Sequence, residues 1–263
     1  MVHRAELLHA QHFSDYYHRL SPTAPLAEYV DHFWLLKSYQ SIGDAVSESH
    51  FPRLAAEWVF VQEASVGVLT GRSGAFSAVY RPPLHRLTPF VYGSHTVAFG
   101  VRFQPGVFPD IEGVPEALKA QIRQVLCACE PANAAFCLGQ LQDFIQSALA
   151  THGLLEGCPH DTVQLCQQAL RHFREPEATV ASVCQDLGVT PRTLRRYFQG
   201  LWGLSPKAAQ RQVRLREALQ YRWLQCTQTQ GGLTPYYSDN AHFYKSFQQI
   251  CQVSLQQFLQ RHA

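Results

Sequence analysis

Three arginines and a threonine lie within five residues in the C-terminal third of the chain, at Arg192, Thr193, Arg195 and Arg196. A guanidinium group can donate two parallel hydrogen bonds to O6 and N7 of guanine, and it also binds phosphate oxygens. The chemistry that this cluster offers is therefore recognition of a nucleic acid. The alternative is a solvated charged face on an ordinary helical hairpin, which needs no ligand.

The residues around this cluster predict the helix that presents it. Thr190 is a favourable N-cap, and Pro191 at the first helical position needs no amide hydrogen. Leu194, Phe198 and Leu201 share one side of that helix and predict its buried face. The arginines then lie on the outward face.

A shorter amphipathic helix is predicted just before it. Val180, Val183, Cys184 and Leu187 follow the i, i+3, i+4, i+7 spacing of a core-facing stripe. Gly188 stands where a helix end favours a residue that tolerates positive φ. Two short helices joined by a tight turn, with a polar outer face on the second, form a helix-turn-helix.

A second polar cluster, Asn240, His242 and Lys245, lies further along the chain. An asparagine can pair with N6 and N7 of adenine. Ser238 or Asp239 can cap the helix that carries these residues. An offset of 49 residues aligns LRRYFQ in the first segment with FYKSFQ in the second, and this repeat predicts two similar helix-turn-helix units.

The second unit is expected to have the weaker support. Phe243, Phe247 and Ile250 give its helix a buried face, and a helix through 211–224 is expected to join the two units. The segment 227–237, just before the second polar cluster, contains two glycines and a proline. These residues cost about 1 and 3 kcal/mol in a helix interior.

Positive charge is concentrated in the same part of the chain. Residues 1–159 hold ten Lys and Arg against fourteen Asp and Glu, a net charge of −4, whereas residues 160–263 hold twelve against six, a net charge of +6. A basic domain favours a polyanionic partner, because Lys and Arg neutralise phosphates and release counterions.

The N-terminal part predicts a β-rich domain followed by helices. At about 26–104, short runs of aromatic and β-branched residues alternate with Gly, Pro and Ser, as in a small sheet or barrel. Helices are predicted at about 114–150, and a linker with two glycines and a proline at 152–161. The chain is thus predicted to be α+β. The predicted core-facing residues of the second helix are Phe136, Leu141, Ile145 and Leu149.

Three residues on or beside the predicted strands are candidates for lining an effector pocket: Glu57, Trp58 and Arg102. A charged group among aromatic side chains can bind a small polar molecule. The alternative is a charge on an exposed strand face, with the aromatic residue in the core.

Several function classes are not favoured by the sequence. It contains no Walker A loop, no G-x-G-x-x-G after a strand, no H-E-x-x-H and no G-x-S-x-G. Eight irregularly spaced cysteines without a C-x-x-C pair favour reduced thiols over disulfides or zinc ligation. No apolar run approaches the roughly 18 residues that span a bilayer, and no signal peptide is evident. We therefore predict a cytoplasmic protein that is not an enzyme and binds no cofactor or metal.

Two motifs carry a family resemblance. YSDNAHFYKSF at 237–247 is close to the signature G-Y-x-D-Q-x-H-F-x-[RK]-x-F, and GLSPK at 203–207 is close to G-x-[ST]-P. The chain resembles the AraC/XylS family of bacterial transcription regulators, to which both motifs belong, over roughly its last 100 residues. LAEYVDHFW, FPRLAAEWVFV and GVRFQPGVFPDIEGVP resemble patterns of the sensor domains attached to such regulators.

The resemblance implies a transcription regulator whose two units enter successive major grooves about 34 Å apart. It places the recognition helices at 191–199 and from Asp239 onward, within a DNA-binding domain at 158–263, and it implies a sensor or dimerisation domain at 1–157. The implied partners are double-stranded DNA, a small-molecule effector, a second copy of the chain and, for an activator, RNA polymerase. The alternative is a ligand- or partner-binding regulatory protein that has lost autonomous DNA binding.

The chain departs from the family pattern in its second unit. Gly231 and Gly232 stand where the supporting helix usually carries Ile-Ala, and Tyr236 occupies the usual Gly position. Gln252 and Leu255 replace the Gly and Pro of the second G-x-[ST]-P element. Most of the affinity for DNA is therefore expected to lie in the first unit.

Overall fold

The computed structural model describes residues 17–24, 26–37, 46–63, 75–92, 96–151, 160–225 and 235–261. In these ranges the strands are β1 (Tyr17–Leu20), β2 (Val30–Lys37), β3 (Val46–His50), β4 (Glu57–Glu63), β5 (Phe76–Arg81), β6 (Thr88–Tyr92) and β7 (Thr96–Phe103). The α-helices are α1 (Glu116–Ala128), α2 (Ala134–Thr151), α3 (His160–His172), α4 (Val180–Asp186), α5 (Pro191–Trp202), α6 (Pro206–Gln225), α7 (Asn240–Cys251) and α8 (Leu255–Arg261).

Five strands form an antiparallel sheet in the order β1-β2-β7-β4-β5, and β3 pairs with β6 in a separate two-stranded sheet. Every residue of the central strand β7 is buried. Successive side chains of a strand point to opposite faces, so β7 must be covered on both. Gly100 is required at the centre of this strand, because a Cβ there would lie 1.9 Å from the Trp34 ring.

Helices α1 and α2 cover one face of the five-stranded sheet. Phe33, Phe60 and Phe99 are fully buried on that face. The Phe99 ring stacks on the other two, with centroid distances of 6.2 Å to Phe33 and 5.9 Å to Phe60. Ile122 of α1 and Ile145 of α2 belong to the same core. This packing makes the N-terminal part a layer of helices on a sheet.

Helices α3 to α8 form two further cores that share α6. The first surrounds Phe173 and Phe198 and includes Ala209 of α6. The second surrounds Phe243 and Phe247 and includes Leu215 of α6. One helix of 20 residues thus contributes to both cores.

The predicted α+β class is confirmed, and the face predicted for α2 is partly wrong. Leu141, Ile145 and Leu149 are buried, but Phe136 is 68% exposed. The buried stripe of α2 runs through positions that include Leu138, and a residue two positions earlier points away from it. None of the helices in the described ranges is long and apolar enough to cross a membrane.

Some boundaries also differ from those predicted. Helix α3 begins at His160, inside the expected linker, and 152–159 lie outside the described residues. A strand expected within 66–71 also lies outside them. The sequence patterns do not predict β1 and β3, because YHRL and VSESH are short and polar.

Candidate nucleic-acid interface

Local hydrogen bonds and backbone conformation fix both ends of α5. Thr190 Oγ1 accepts a hydrogen bond from the Thr193 amide at 3.1 Å, and Pro191 occupies the first helical position. The helix ends at Gly203 with φ of 66°, a left-handed conformation that favours glycine. Gly188 adopts φ of 63° in the turn between α4 and α5. The predicted N-cap and the predicted turn glycine are confirmed.

The supporting helix α4 begins with a capping box. Thr179 Oγ1 accepts a hydrogen bond from the Ser182 amide at 3.0 Å, and Ser182 Oγ accepts one from the Thr179 amide at 2.9 Å. Val183 and Cys184 are buried in the core of the first unit. Helices α4 and α5 therefore form the predicted helix-turn-helix.

The predicted arginines lie on the outer side of α5. Arg192, Arg195 and Arg196 are exposed, whereas Phe198 on the opposite side is fully buried. Within the described part of the chain, no carboxylate pairs with these three guanidinium groups. The Arg196 guanidinium lies 5.2 Å from the centroid of the Tyr197 ring. Helix α5 thus presents three cations to solvent.

Thr193, the fourth candidate on α5, differs from the arginines. It is half-buried, and its Oγ1 lies 2.9 Å from Thr190 Oγ1. Its hydroxyl and its amide both contact the N-cap residue. Thr193 therefore stabilises the start of α5 whether or not it also contacts a ligand.

Helix α7 repeats this arrangement in the second unit. Asp239 is its N-cap, and Asp239 Oδ1 accepts a hydrogen bond from the His242 amide at 2.7 Å, which lowers the pKa of Asp239. The predicted candidates Asn240, His242 and Lys245 are all exposed. Tyr244 on the same helix is 48% exposed and adds an aromatic ring to the polar surface.

Tyr237 anchors the segment that leads into α7. Its hydroxyl lies 2.9 Å from Ser246 Oγ, and its ring meets the His242 ring edge-on with centroids 5.1 Å apart. Burial raises the pKa of Tyr237. Gly231 and Gly232 lie outside the described residues, so the loosely held supporting helix stays a prediction.

The two units correspond at matching positions of the 49-residue repeat. Gly203 and Gln252 both cap their helices in the left-handed conformation, with φ of 66° and 62°. Ser205 Oγ and Ser254 Oγ each accept a hydrogen bond from the amide three residues later, at 3.2 and 3.1 Å. Among the described residues, Gln252 is the one non-glycine with positive φ. The predicted repeat is thus confirmed for α5, α7 and the turns that follow them, whereas the segment that would hold the supporting helix of the second unit lies mostly outside the described residues.

Two of the three effector-pocket candidates come together in the structure. Glu57 and Arg102 lie opposite each other on β4 and β7, and Arg102 Nε donates to Glu57 Oε1 at 2.6 Å. Trp58 lies on the other face of the sheet, where its Nε1 donates to the Pro109 carbonyl at 3.0 Å. All three residues are at most 3% exposed, so they belong to the interior of the N-terminal part.

Arg53 and Arg81 complete a buried ion cluster that the sequence analysis missed. Arg53 Nη2 donates to Glu57 Oε2 at 2.6 Å, and Arg81 Nη1 lies 4.0 Å from the same oxygen. Arg53 lies before β4, outside the predicted strands. The local signal for the Arg53–Glu57 pair is the i, i+4 spacing of opposite charges.

A second polar pair lies beside this cluster. His32 Nδ1 donates to Asp31 Oδ2 at 2.8 Å, and His32 is paired with Arg102 in the sheet register. Burial lowers the pKa of His32. Burial alone would raise the pKa of Asp31, but the hydrogen bond from His32 and the charges of His32, Arg102 and Arg19 outweigh it and bring that pKa to about 2.

The cysteines of the described ranges are all free thiols: Cys127, Cys129, Cys137, Cys166, Cys184 and Cys251. No group of three or more His, Cys, Asp or Glu among the described residues is arranged to hold a metal ion. The other two cysteines, Cys158 and Cys226, lie outside the described residues.

Two family models match the chain. A helix-turn-helix domain model matches residues 183–261, from within α4 to α8. A model of a domain of unknown function, DUF6597, matches residues 18–120, which hold the five-stranded sheet and part of α1. No curated protein matches the chain at a significant level.

Several solved structures resemble the fold at low sequence identity. An apo structure of ToxT from Vibrio cholerae has a TM-score of 0.42 at 8% identity, and the match covers 91% of this chain and 98% of that chain. ToxT from Vibrio cholerae bound to an unsaturated fatty acid has a TM-score of 0.38 at 8% identity, covering 86% and 93%. The AraC-like transcriptional activator CuxR has a TM-score of 0.21 at 11% identity, covering 82% and 89%.

The motifs, the matched domain and the geometry describe the same module. The helix-turn-helix match covers both units, and each unit carries a capped helix whose outer face is polar or cationic. The C-terminal part of the chain is therefore a helix-turn-helix domain, and the chain is a DNA-binding transcription regulator.

Proposed function

We propose that α5 and α7 are the recognition helices of this regulator. Their outer faces would contact base edges and phosphates through Arg192, Thr193, Arg195, Arg196, Asn240, His242 and Lys245. The observation that carries the proposal is the set of three exposed arginines on α5, which no carboxylate of the described chain neutralises. Exposed cations of this kind can neutralise phosphates and thereby release the counterions condensed on DNA.

The two helices would contribute unequally. Arg192, Arg195 and Arg196 can each form a fork with guanine or bind a phosphate. On α7, Lys245 is the residue that aligns with Arg196 in the repeat, and an ammonium group binds phosphate as a point charge without the planar fork. Most of the affinity should therefore come from α5, and α7 should add contacts in the neighbouring groove.

The test begins with selection of bound sites from random duplex DNA by the full-length protein, followed by affinity measurements at several salt concentrations. We expect Arg196→Ala to weaken binding by about tenfold or more and to reduce the slope of log affinity against log salt by about 1. Arg123→Ala on α1 is the matched control and should leave both quantities unchanged.

Two results would count against this assignment. Wild-type affinity in Arg192→Ala, Arg195→Ala and Arg196→Ala alike would show that α5 is not the recognition helix. Failure of the wild-type protein to retard any duplex at micromolar concentration would favour the alternative, a regulatory protein that has lost autonomous DNA binding.

We further propose that the regulator works in the cytoplasm, where its DNA target lies, and responds to a small molecule. The observation that favours an effector is a cleft of about 260 Å³ where the N-terminal part meets α3, lined by residues that include Tyr29, Gln104, Gln167 and Arg171. The lining also includes Glu28, and together these phenol, amide, guanidinium and carboxylate groups suit a small polar ligand. A ligand that raises the melting temperature of wild type but not of Gln167→Ala would support this site.

A further inference from the structure

The loop between β3 and β4 contacts both helix-turn-helix units. We call residues 51–54 the bridging segment. Phe51 is 4% exposed and lies in the core of the second unit, with ring centroids 6.1 Å from Phe247 and 5.4 Å from Phe258. Aromatic pairs at these distances stabilise a core beyond the area they bury. A residue of the N-terminal part thus completes the core of the second unit.

Leu54 makes the corresponding contact with the first unit. Its side chain is 6% exposed and lies in the same buried cluster as Phe198 and Trp202. The Leu54 carbonyl accepts a hydrogen bond from Trp202 Nε1 at 2.9 Å. Trp202 is the last residue of α5, so this contact attaches the N-terminal part to the recognition helix itself.

Arg53, between these two contacts, fixes the bridging segment to the sheet. Its guanidinium donates to Glu57 Oε2 at 2.6 Å and to the Ala55 carbonyl at 3.3 Å. Its backbone amide and carbonyl each form a 2.8 Å hydrogen bond with Leu84. The bridging segment is therefore held by the N-terminal part at several atoms while it contacts both units.

Helix α6 also connects the two units directly, since Ala209 lies in the first core and Leu215 in the second. Long helices bend gently at little cost, so one helix leaves the angle between the units adjustable. A second connection at a different place removes that freedom. The bridging segment supplies it.

We propose that Phe51 and Leu54 are positioning residues for DNA recognition. Through them the N-terminal part sets the separation of the two recognition helices, and so the half-site spacing that the protein accepts. This inference rests on the proposed function. Two recognition helices that enter successive major grooves must be separated by the helical repeat of about 34 Å. Without the bridging segment, α6 alone would let the two units adapt to other half-site spacings.

The test measures binding of the full-length protein to duplexes with altered half-site spacing. The insertions between the half-sites of a site selected by wild type range from one to about five base pairs. An insertion of about five base pairs corresponds to half a helical turn. Wild type should lose affinity steeply. Phe51→Ala should reduce the preference for the selected spacing by about tenfold, because truncating a buried Phe removes the packing that holds the second unit against the N-terminal part. Val79→Ala, at a side chain 44% exposed on β5, is the matched control and should keep the wild-type profile.

A milder variant separates positioning from loss of folding. Phe51→Leu keeps an apolar side chain and should fold with an intermediate spacing preference. Both Phe51 variants should bind an isolated first half-site as wild type does, because Phe51 packs in the core of the second unit. The inference is overturned if Phe51→Ala and Leu54→Ala keep the wild-type spacing profile, or lose affinity equally at every spacing. If wild type binds DNA but tolerates all spacings, the positioning inference fails while the proposed function stands. If wild type binds no duplex, both the positioning inference and the proposed function fail.

Discussion

Glu57 lies among guanidinium groups from three separate segments of the N-terminal part. Arg53 and Arg102 each donate to one of its oxygens at 2.6 Å, and Arg81 lies 4.0 Å away. The Glu57 side chain is fully buried. A buried charge is stable only when it is paired and hydrogen-bonded, so the carboxylate and the arginines around it depend on one another.

Replacing Glu57 by Gln keeps the shape of the side chain but removes its charge. Removing one partner of a buried ion pair costs about 3–5 kcal/mol, and we expect Glu57→Gln to lower the free energy of unfolding by that order in urea titrations. The matched control is Glu116→Gln, at an ion pair with Lys119 in which the Glu116 side chain is 87% exposed. It should cost less than about 0.5 kcal/mol. Equal effects of the two variants would contradict a stabilising ion cluster.

At the scale of elements, α5 and α7, the two proposed recognition helices, end alike but with different residues. Gly203 ends α5 and Gln252 ends α7, both with positive φ. A non-glycine residue in this conformation costs about 1–2 kcal/mol. Gln252, where the chain departs from the pattern of the family it resembles, therefore places backbone strain at the end of α7.

Replacing Gln252 by Gly should relieve this strain. We expect Gln252→Gly to raise the free energy of unfolding by about 0.5–1 kcal/mol, because the relief of strain exceeds the entropy cost of glycine. The measurement is urea unfolding, together with amide hydrogen exchange along α7. Gly203→Gln is the reciprocal control and should lower stability by about 1–2 kcal/mol. A loss of stability in Gln252→Gly would refute the strained cap.

How much of this structure the sequence predicts depends on the distance between interacting residues. The caps at Thr190 and Asp239 are predictable, because each bonds an amide three residues away. The pairing of Glu57 with Arg102 depends on the register between β4 and β7, which the sequence of one strand does not determine. Phe51 packs on a ring 196 residues away at Phe247, and no local pattern of residues indicates that contact.

On the scale of the whole molecule, a row of buried polar and charged residues crosses the sheet from β2 to the bridging segment. Asp31 bonds His32, which is paired with Arg102 in the register. Arg102 bonds Glu57, and Glu57 bonds Arg53 within the bridging segment. Asp31 and His32 are therefore coupled electrostatically to Arg102, which is itself bonded to Glu57.

The stability of the protein should fall as the pH is lowered from 7 to 5. Burial lowers the pKa of His32 from the ordinary 6.5, so the unfolded chain binds a proton at a higher pH than the folded chain does. Stability is full above about pH 6.5 and is lost as the pH falls below that value. Asp31, with a pKa of about 2 in the folded protein against 3.8 ordinarily, adds a further loss as the pH falls from about 4 toward 2.

Urea titrations of the wild type and of His32→Asn at pH 7, 6 and 5 check this expectation. The wild-type free energy of unfolding should decline over the series, and the decline should be smaller in His32→Asn, which has no imidazole to protonate in the unfolded state. Asp31, Arg102 and Arg19 face His32, and their charges do not change over this range, so the difference between the two slopes reports His32. Identical slopes would show that His32 binds its proton equally in the folded and unfolded chains, and that the interior around Arg102 does not disfavour a charged imidazole.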